Sequence, residues 1–81
     1  MKKTREEVVK LMEEFLRVEQ GILNLDTCIG GIDEWDSLGH LSILSGLDKA
    51  FSGKLSSISN IAGAASVREI LDILSDNDLI K

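Results

Sequence analysis

The sequence predicts a small all-α protein, a four-helix bundle of three main helices plus one short helix with a long first loop. Apolar residues recur at helical spacing in three stretches, and no stretch alternates with the two-residue period of a strand. Size adds a third constraint. The 81 residues, 43% hydrophobic, make one domain spanning 1–81, and folding at this mass buries roughly 63% of the chain's surface. Two Phe, one Trp and no Tyr leave aliphatic side chains to fill the core.

Residues 4–19 read as the first helix, because Val8, Met12, Phe15 and Leu16 recur at i, i+4, i+7 and i+8 between charged positions. Thr4 and Glu7 have the spacing of a capping box. Glu6 with Lys10 and Glu13 with Arg17 are spaced i, i+4, and these charges read as a solvated face. Gly21 ends the periodicity.

Residues 20–36 form a connection long enough to be functional or self-packed. Its Ile22, Leu23, Leu25, Ile29 and Ile32 are expected to lie across the bundle and close part of the core, with Trp35 as a loop-closing anchor. Cys28 reads as a small buried hydrophobe. Asp26, Asp33, Glu34 and Asp36 fall here without a single base, so the acidity is concentrated just before residue 37.

Residues 37–51 read as the second helix. Leu41, Ile43, Leu44, Leu47 and Phe51 spread over roughly 160° of its circumference, which makes it the central helix. Its other side holds Ser42, Ser45, Gly46 and Lys49, and Gly53 stops it. Residues 54–65 are small and polar, with Leu55, Ile58 and Ile61 as anchors for one short helical turn before Gly63. Ser66 and Glu69 have the spacing of a second capping box, opening a last helix whose Val67, Ile70, Leu71 and Leu74 face inward. Asp76-Asn77-Asp78 breaks it.

Composition excludes several function classes. Nine bases against 14 acids, a net charge of −5, argue against nucleic acid, whose phosphates are bound by clustered Lys and Arg. No run approaches the ~20 apolar residues of a spanning helix, and Lys2-Lys3 leads into Thr4-Arg5-Glu6-Glu7 with no apolar signal stretch. The chain thus reads as cytoplasmic, with no membrane partner and no oligomer signal. One Cys and one His cannot make an internal disulfide or a structural zinc site.

Ser37 stands at the mouth of the central helix. By residue type alone it is an N-cap, accepting a backbone N–H bond worth ~1 kcal/mol. His40, three residues on, raises a Ser/His nucleophile pair, but a hydrolase also needs an orienting acid and an oxyanion hole in a cleft. The sequence therefore reads as no enzyme.

Asp36-Ser37-Leu38, then aliphatics at Leu41, Leu44 and Leu47, Phe51 closing the helix and Ser66-Val67 opening the last one, resembles the acyl carrier protein family over nearly the whole chain. The resemblance implies that Ser37 carries a 4′-phosphopantetheine arm. A phosphopantetheinyl transferase would attach it as a phosphodiester from coenzyme A, and acyl-loading and acyl-processing enzymes would use cargo held as a thioester on the arm. By the same resemblance Asp36 supports arm transfer by helping to place the transferase's magnesium ion. The walls of an acyl cleft would fall at Leu41, Leu44, Leu47, Ile58, Ile61 and Val67, all of which read equally as core packing. Partner recognition would fall on Asp36, Leu38, Gly39, His40 and Ser42.

Fatty-acid carriers of this family usually have an acid after the Asp-Ser-Leu motif and more along the exposed side of the second helix. Here those positions hold Gly39, Ser42 and Lys49, so electrostatic steering by this helix is weak. Trp35-Asp36-Ser37-Leu38-Gly39 resembles specialised or aminoacyl carriers more than housekeeping ones. The expectation is a discrete monomeric carrier for fatty acid-like, polyketide-like or other specialised biosynthesis. The alternatives are an aminoacyl or peptidyl carrier with the same arm, and a helical interaction module that never takes one.

Overall fold

Helices form at the three places where apolar residues recur: α1 (Arg5–Leu16), α2 (Ser37–Ala50) and α3 (Val67–Asp76). The computed structural model describes residues 2–81, and among these the only extended pairings are two isolated bridges, Lys3 with Ile80 and Cys28 with Ser66. The accessible surface is 4957 Å², close to the about 4,800 Å² that a folded monomer of this mass presents.

The start of α1 is a reciprocal capping box: the Glu7 N–H donates to Thr4 Oγ1 and the Thr4 N–H donates to Glu7 Oε1, each at 3.1 Å. The helix stops at Leu16, short of residue 19, because Arg17 turns left-handed at φ 60 and the N–H of Val18 donates back to the Glu13 carbonyl at 3.0 Å. Val8, Met12 and Leu16 are buried.

Glu13 departs from the solvated reading. It is 2% exposed, and its Oε2 accepts from the N–H of Gly21 at 2.9 Å and of Leu23 at 3.0 Å. Neither the Glu6–Lys10 nor the Glu13–Arg17 spacing makes an ion pair among the described residues; the pairs present join distant segments, Lys2 to Asp78, Arg5 to Asp72 at 3.9 Å and Arg68 to Asp26 at 2.9 Å.

The long connection is pinned along its length. Beyond the Glu13 contacts, Leu25 and Thr27 carbonyls accept from the N–H groups of Arg68 and Val67, at 3.2 and 3.0 Å, and the Ile29 N–H donates to the Ala65 carbonyl at 2.8 Å. This ladder decides which side chains turn inward. Thr27 and Ile29 are half-buried, so Cys28 between them is exposed rather than buried. Leu23 closes the core and Ile32 packs against it, while Ile22 and Leu25 stay exposed.

Packing of α2 is narrower than its apolar arc. Ile43, Leu47 and Phe51 are buried and Leu44 half-buried, but Leu41 is 61% exposed and lies outside the core. The helix meets its neighbours through two glycines seven residues apart. A Cβ on Gly46 would lie 2.6 Å from Cζ of Phe15, and one on Gly39 would lie 2.9 Å from Cδ2 of Leu16 and inside the contact radius of the Glu34 carbonyl oxygen. Gly46 therefore belongs to the α1 contact, not to a bare outer face.

In place of one short helix over 54–65 stand two 3-10 turns, Lys54–Ser57 and Ile61–Gly63. The Ser56 and Ser57 hydroxyls donate to the carbonyls of Gly53 and Lys54, each at 2.8 Å, local bonds that compete with a continuous helix. Leu55, Ile61 and Ala64 anchor the segment in the core. At α3 the Glu69 N–H donates to Ser66 Oγ at 3.1 Å, but the Glu69 carboxylate turns to the Ala65 N–H at 3.3 Å, so only half of the capping box forms. Val67, Ile70, Leu71 and Leu74 are buried as their spacing predicts.

No helix among the described residues is long and apolar enough to cross a membrane.

Candidate functional site

The turn into α2 is built around Trp35, which is fully buried. Its carbonyl accepts from Gly30 N–H at 2.7 Å and its N–H donates to the Ile32 carbonyl at 3.1 Å, closing the loop on itself. The indole Nε1–H donates to Nδ1 of His40 at 3.1 Å, with the two rings stacked at 6.1 Å and 24°. Trp35 is thus the loop anchor that its position predicts, and the partner that satisfies its N–H is His40.

Asp36, not Ser37, is the cap. Asp36 has extended backbone, and its Oδ1 accepts from Gly39 N–H at 2.8 Å. Ser37 is thereby moved to the first helical residue, exposed, and its hydroxyl makes no side-chain hydrogen bond among the described residues. The capping role expected of Ser37 from residue type is already filled by its neighbour, whose carboxylate also suits the positive end of the helix.

Next to Ser37 in the chain stand exposed apolar residues of α2 and exposed acids of the preceding loop. Leu38 is 74% exposed and, with Leu41, Phe15, Ser42, Ser45, Gly46 and Lys49, lines an open groove of about 580 Å³. On the loop side Asp33, Glu34 and Asp36 carry the acidity, and none forms an ion pair among the described residues. Of the residues marked for partner recognition, Asp36, Leu38 and Ser42 stand at this surface, whereas Gly39 and His40 are held in packing contacts. Phe15, whose spacing assigns it only to the core face of the first helix, floors the groove.

The six cleft positions do not converge on one space. Leu44 and Ile61 line a depression of about 250 Å³ between α2 and the 3-10 turns, with Ser45, Asp48, Leu55 and Ser56. Leu47 and Val67 are fully buried, Ile58 lines a separate recess with Asn77 and Leu79, and Leu41 faces the outer groove. As a wall of an interior cleft Leu41 is misplaced, because it lies on the solvent side of the helix from Ile43 and Leu47.

Among the described residues no three His, Cys, Asp or Glu side chains gather as metal ligands. Comparison with family models, with curated proteins and with solved structures finds no match to this chain.

Proposed function

We propose that the chain is a carrier protein of acyl-carrier type, whose Ser37 hydroxyl takes a 4′-phosphopantetheine arm from coenzyme A through a phosphopantetheinyl transferase. The observation that carries this reading is that Asp36 caps α2 and so leaves the adjacent Ser37 hydroxyl exposed and uncommitted at the first turn. A structural serine would commit its oxygen to the helix.

The rest of the site supports it. The N-terminal turn of a helix tolerates a phosphodiester, and the exposed Leu38 and Leu41 beside Ser37 offer apolar contact to the transferase and to acyl-loading and acyl-processing enzymes. Asp36, adjacent to the hydroxyl, would help to place the transferase's magnesium ion. The protein itself would catalyse nothing and would act in the cytoplasm as a monomer, in fatty acid-like, polyketide-like or other specialised biosynthesis. The three helices and the 3-10 segment would then be the four elements of the carrier bundle.

One observation favours an aminoacyl or peptidyl cargo as the second reading. Leu47 and Val67 are packed without exposure and the depression lined by Leu44 and Ile61 is only about 250 Å³, so small cargo held outside the bundle needs no repacking.

Intact mass after incubation with coenzyme A, magnesium and a broad-specificity transferase tests the proposal. One added arm on the wild-type chain, absent from Ser37→Ala, is the expected result. No addition to a folded sample would leave a helical interaction module as the better reading.

A further inference from the structure

We infer that His40 is a positioning residue for the arm: its Nε2–H donates a hydrogen bond to the phosphodiester on Ser37, in a tautomer set by Trp35. The inference rests on the carrier reading above and adds a residue and an interaction to it.

Three observations combine. First, Nδ1 of His40 accepts from the indole N–H at 3.1 Å, so in the neutral ring the proton must sit on Nε2. Trp35 is fully buried and its ring stacks on the imidazole, which fixes orientation as well as tautomer. Second, Nε2 makes no hydrogen bond among the described residues, and no unpartnered side-chain nitrogen or oxygen is buried there. That donor therefore reaches solvent. Third, Ser37 and His40 are three residues apart on one helix, which brings their Cβ atoms to about 5–6 Å. A phosphate on Ser37 Oγ extends the reach from that side, and the imidazole extends it from the other.

Service to Trp35 alone explains Nδ1 and leaves Nε2 without a role. A phosphodiester carries one negative charge, and an N–H donor to it makes a charge-assisted bond stronger than a neutral one. The expected consequence is an arm whose first atoms lean toward the His40 side of α2 instead of swinging freely.

The test compares apo and holo forms of the full wild-type chain with ¹⁵N-labelled histidine, after intact mass has established one arm per chain. With the ring neutral, both forms should show an unprotonated Nδ1 and a protonated Nε2. The Nε2–H proton signal, lost to water exchange in the apo protein, should become visible in the holo protein. In Trp35→Phe, which keeps a ring but removes the indole N–H, the arm's ³¹P resonance should move toward that of free pantetheine phosphodiester. An armed wild-type chain whose Nε2–H behaves as in the apo form would overturn the inference while leaving the carrier reading in place. A folded chain that takes no arm would overturn the carrier reading, and this inference with it.

Discussion

Glu13 on α1 accepts the backbone N–H of Leu23 at 3.0 Å inside the bundle, and the same oxygen accepts the N–H of Gly21 at 2.9 Å. One buried carboxylate thus replaces the partners that two loop amides would otherwise find in water. Of the two, Leu23 is buried and Gly21 exposed, and leaving a donor such as the Leu23 N–H buried and unpaired costs about 1–3 kcal/mol. Glu13→Ala is therefore expected to destabilise by about that amount in urea titration, and Glu13→Gln, which keeps an acceptor oxygen, by less. Hydrogen exchange should locate the effect at the Gly21 and Leu23 amides. Equal losses for both variants would mean that side-chain packing, not hydrogen bonding, holds the loop.

Gly39 gives a prediction of unusual sign. Alanine in place of glycine inside a helix normally stabilises by about 1 kcal/mol. Here a Cβ would press on the Glu34 carbonyl and lie 2.9 Å from Leu16 Cδ2, and overpacking of this kind costs about 1–3 kcal/mol. Gly39→Ala should therefore lower the melting temperature.

The capping box of α1 predicts a pH dependence. The Thr4 N–H donating to the Glu7 carboxylate holds its pKa below the ordinary value, with the Thr4 hydroxyl and nearby Lys3 acting in the same direction. A depressed carboxylate contributes stability that is complete above its unfolded pKa and fades as pH falls through the lower folded one. Glu7→Gln should be less stable than wild type at neutral pH, with the gap narrowing on acidification through the carboxylate range. A gap of constant size across that range would show that the hydrogen bond, not the charge, is the source.

The helices are legible in the sequence because their signal is local: Val8, Met12 and Leu16, or Val67, Ile70, Leu71 and Leu74, bury at the spacing that predicts it. The features that escape it depend on distant chain. Glu13 looks like any surface acid until the loop brings two amides to it. Cys28 is turned outward by pairing with residues 65–67, nearly forty positions away. Leu41 stands at the far end of the apolar arc, roughly 160° round the helix from Ile43, and that end of the arc meets solvent instead of the core. At the candidate site the motif residues are visible but their division of labour is not, since Asp36 and Ser37 are both good caps and a one-residue shift of the helix start exchanges their roles.

That exchange yields the sharpest stability test at the site. With Asp36 Oδ1 holding the Gly39 N–H at 2.8 Å, Asp36→Ala removes a cap and should cost about 0.5–2 kcal/mol. Ser37→Ala removes a hydroxyl that bonds nothing among the described residues, and an exposed substitution of that kind falls within about 0.5 kcal/mol of neutral. Paired urea melts of the two variants check the assignment. The reverse order, with Ser37→Ala the costly change, would make Ser37 the cap and remove the reason for treating its oxygen as free. The expected order also makes Ser37→Ala a clean control for arm attachment, because any loss of modification then reflects the missing oxygen and not a disturbed helix.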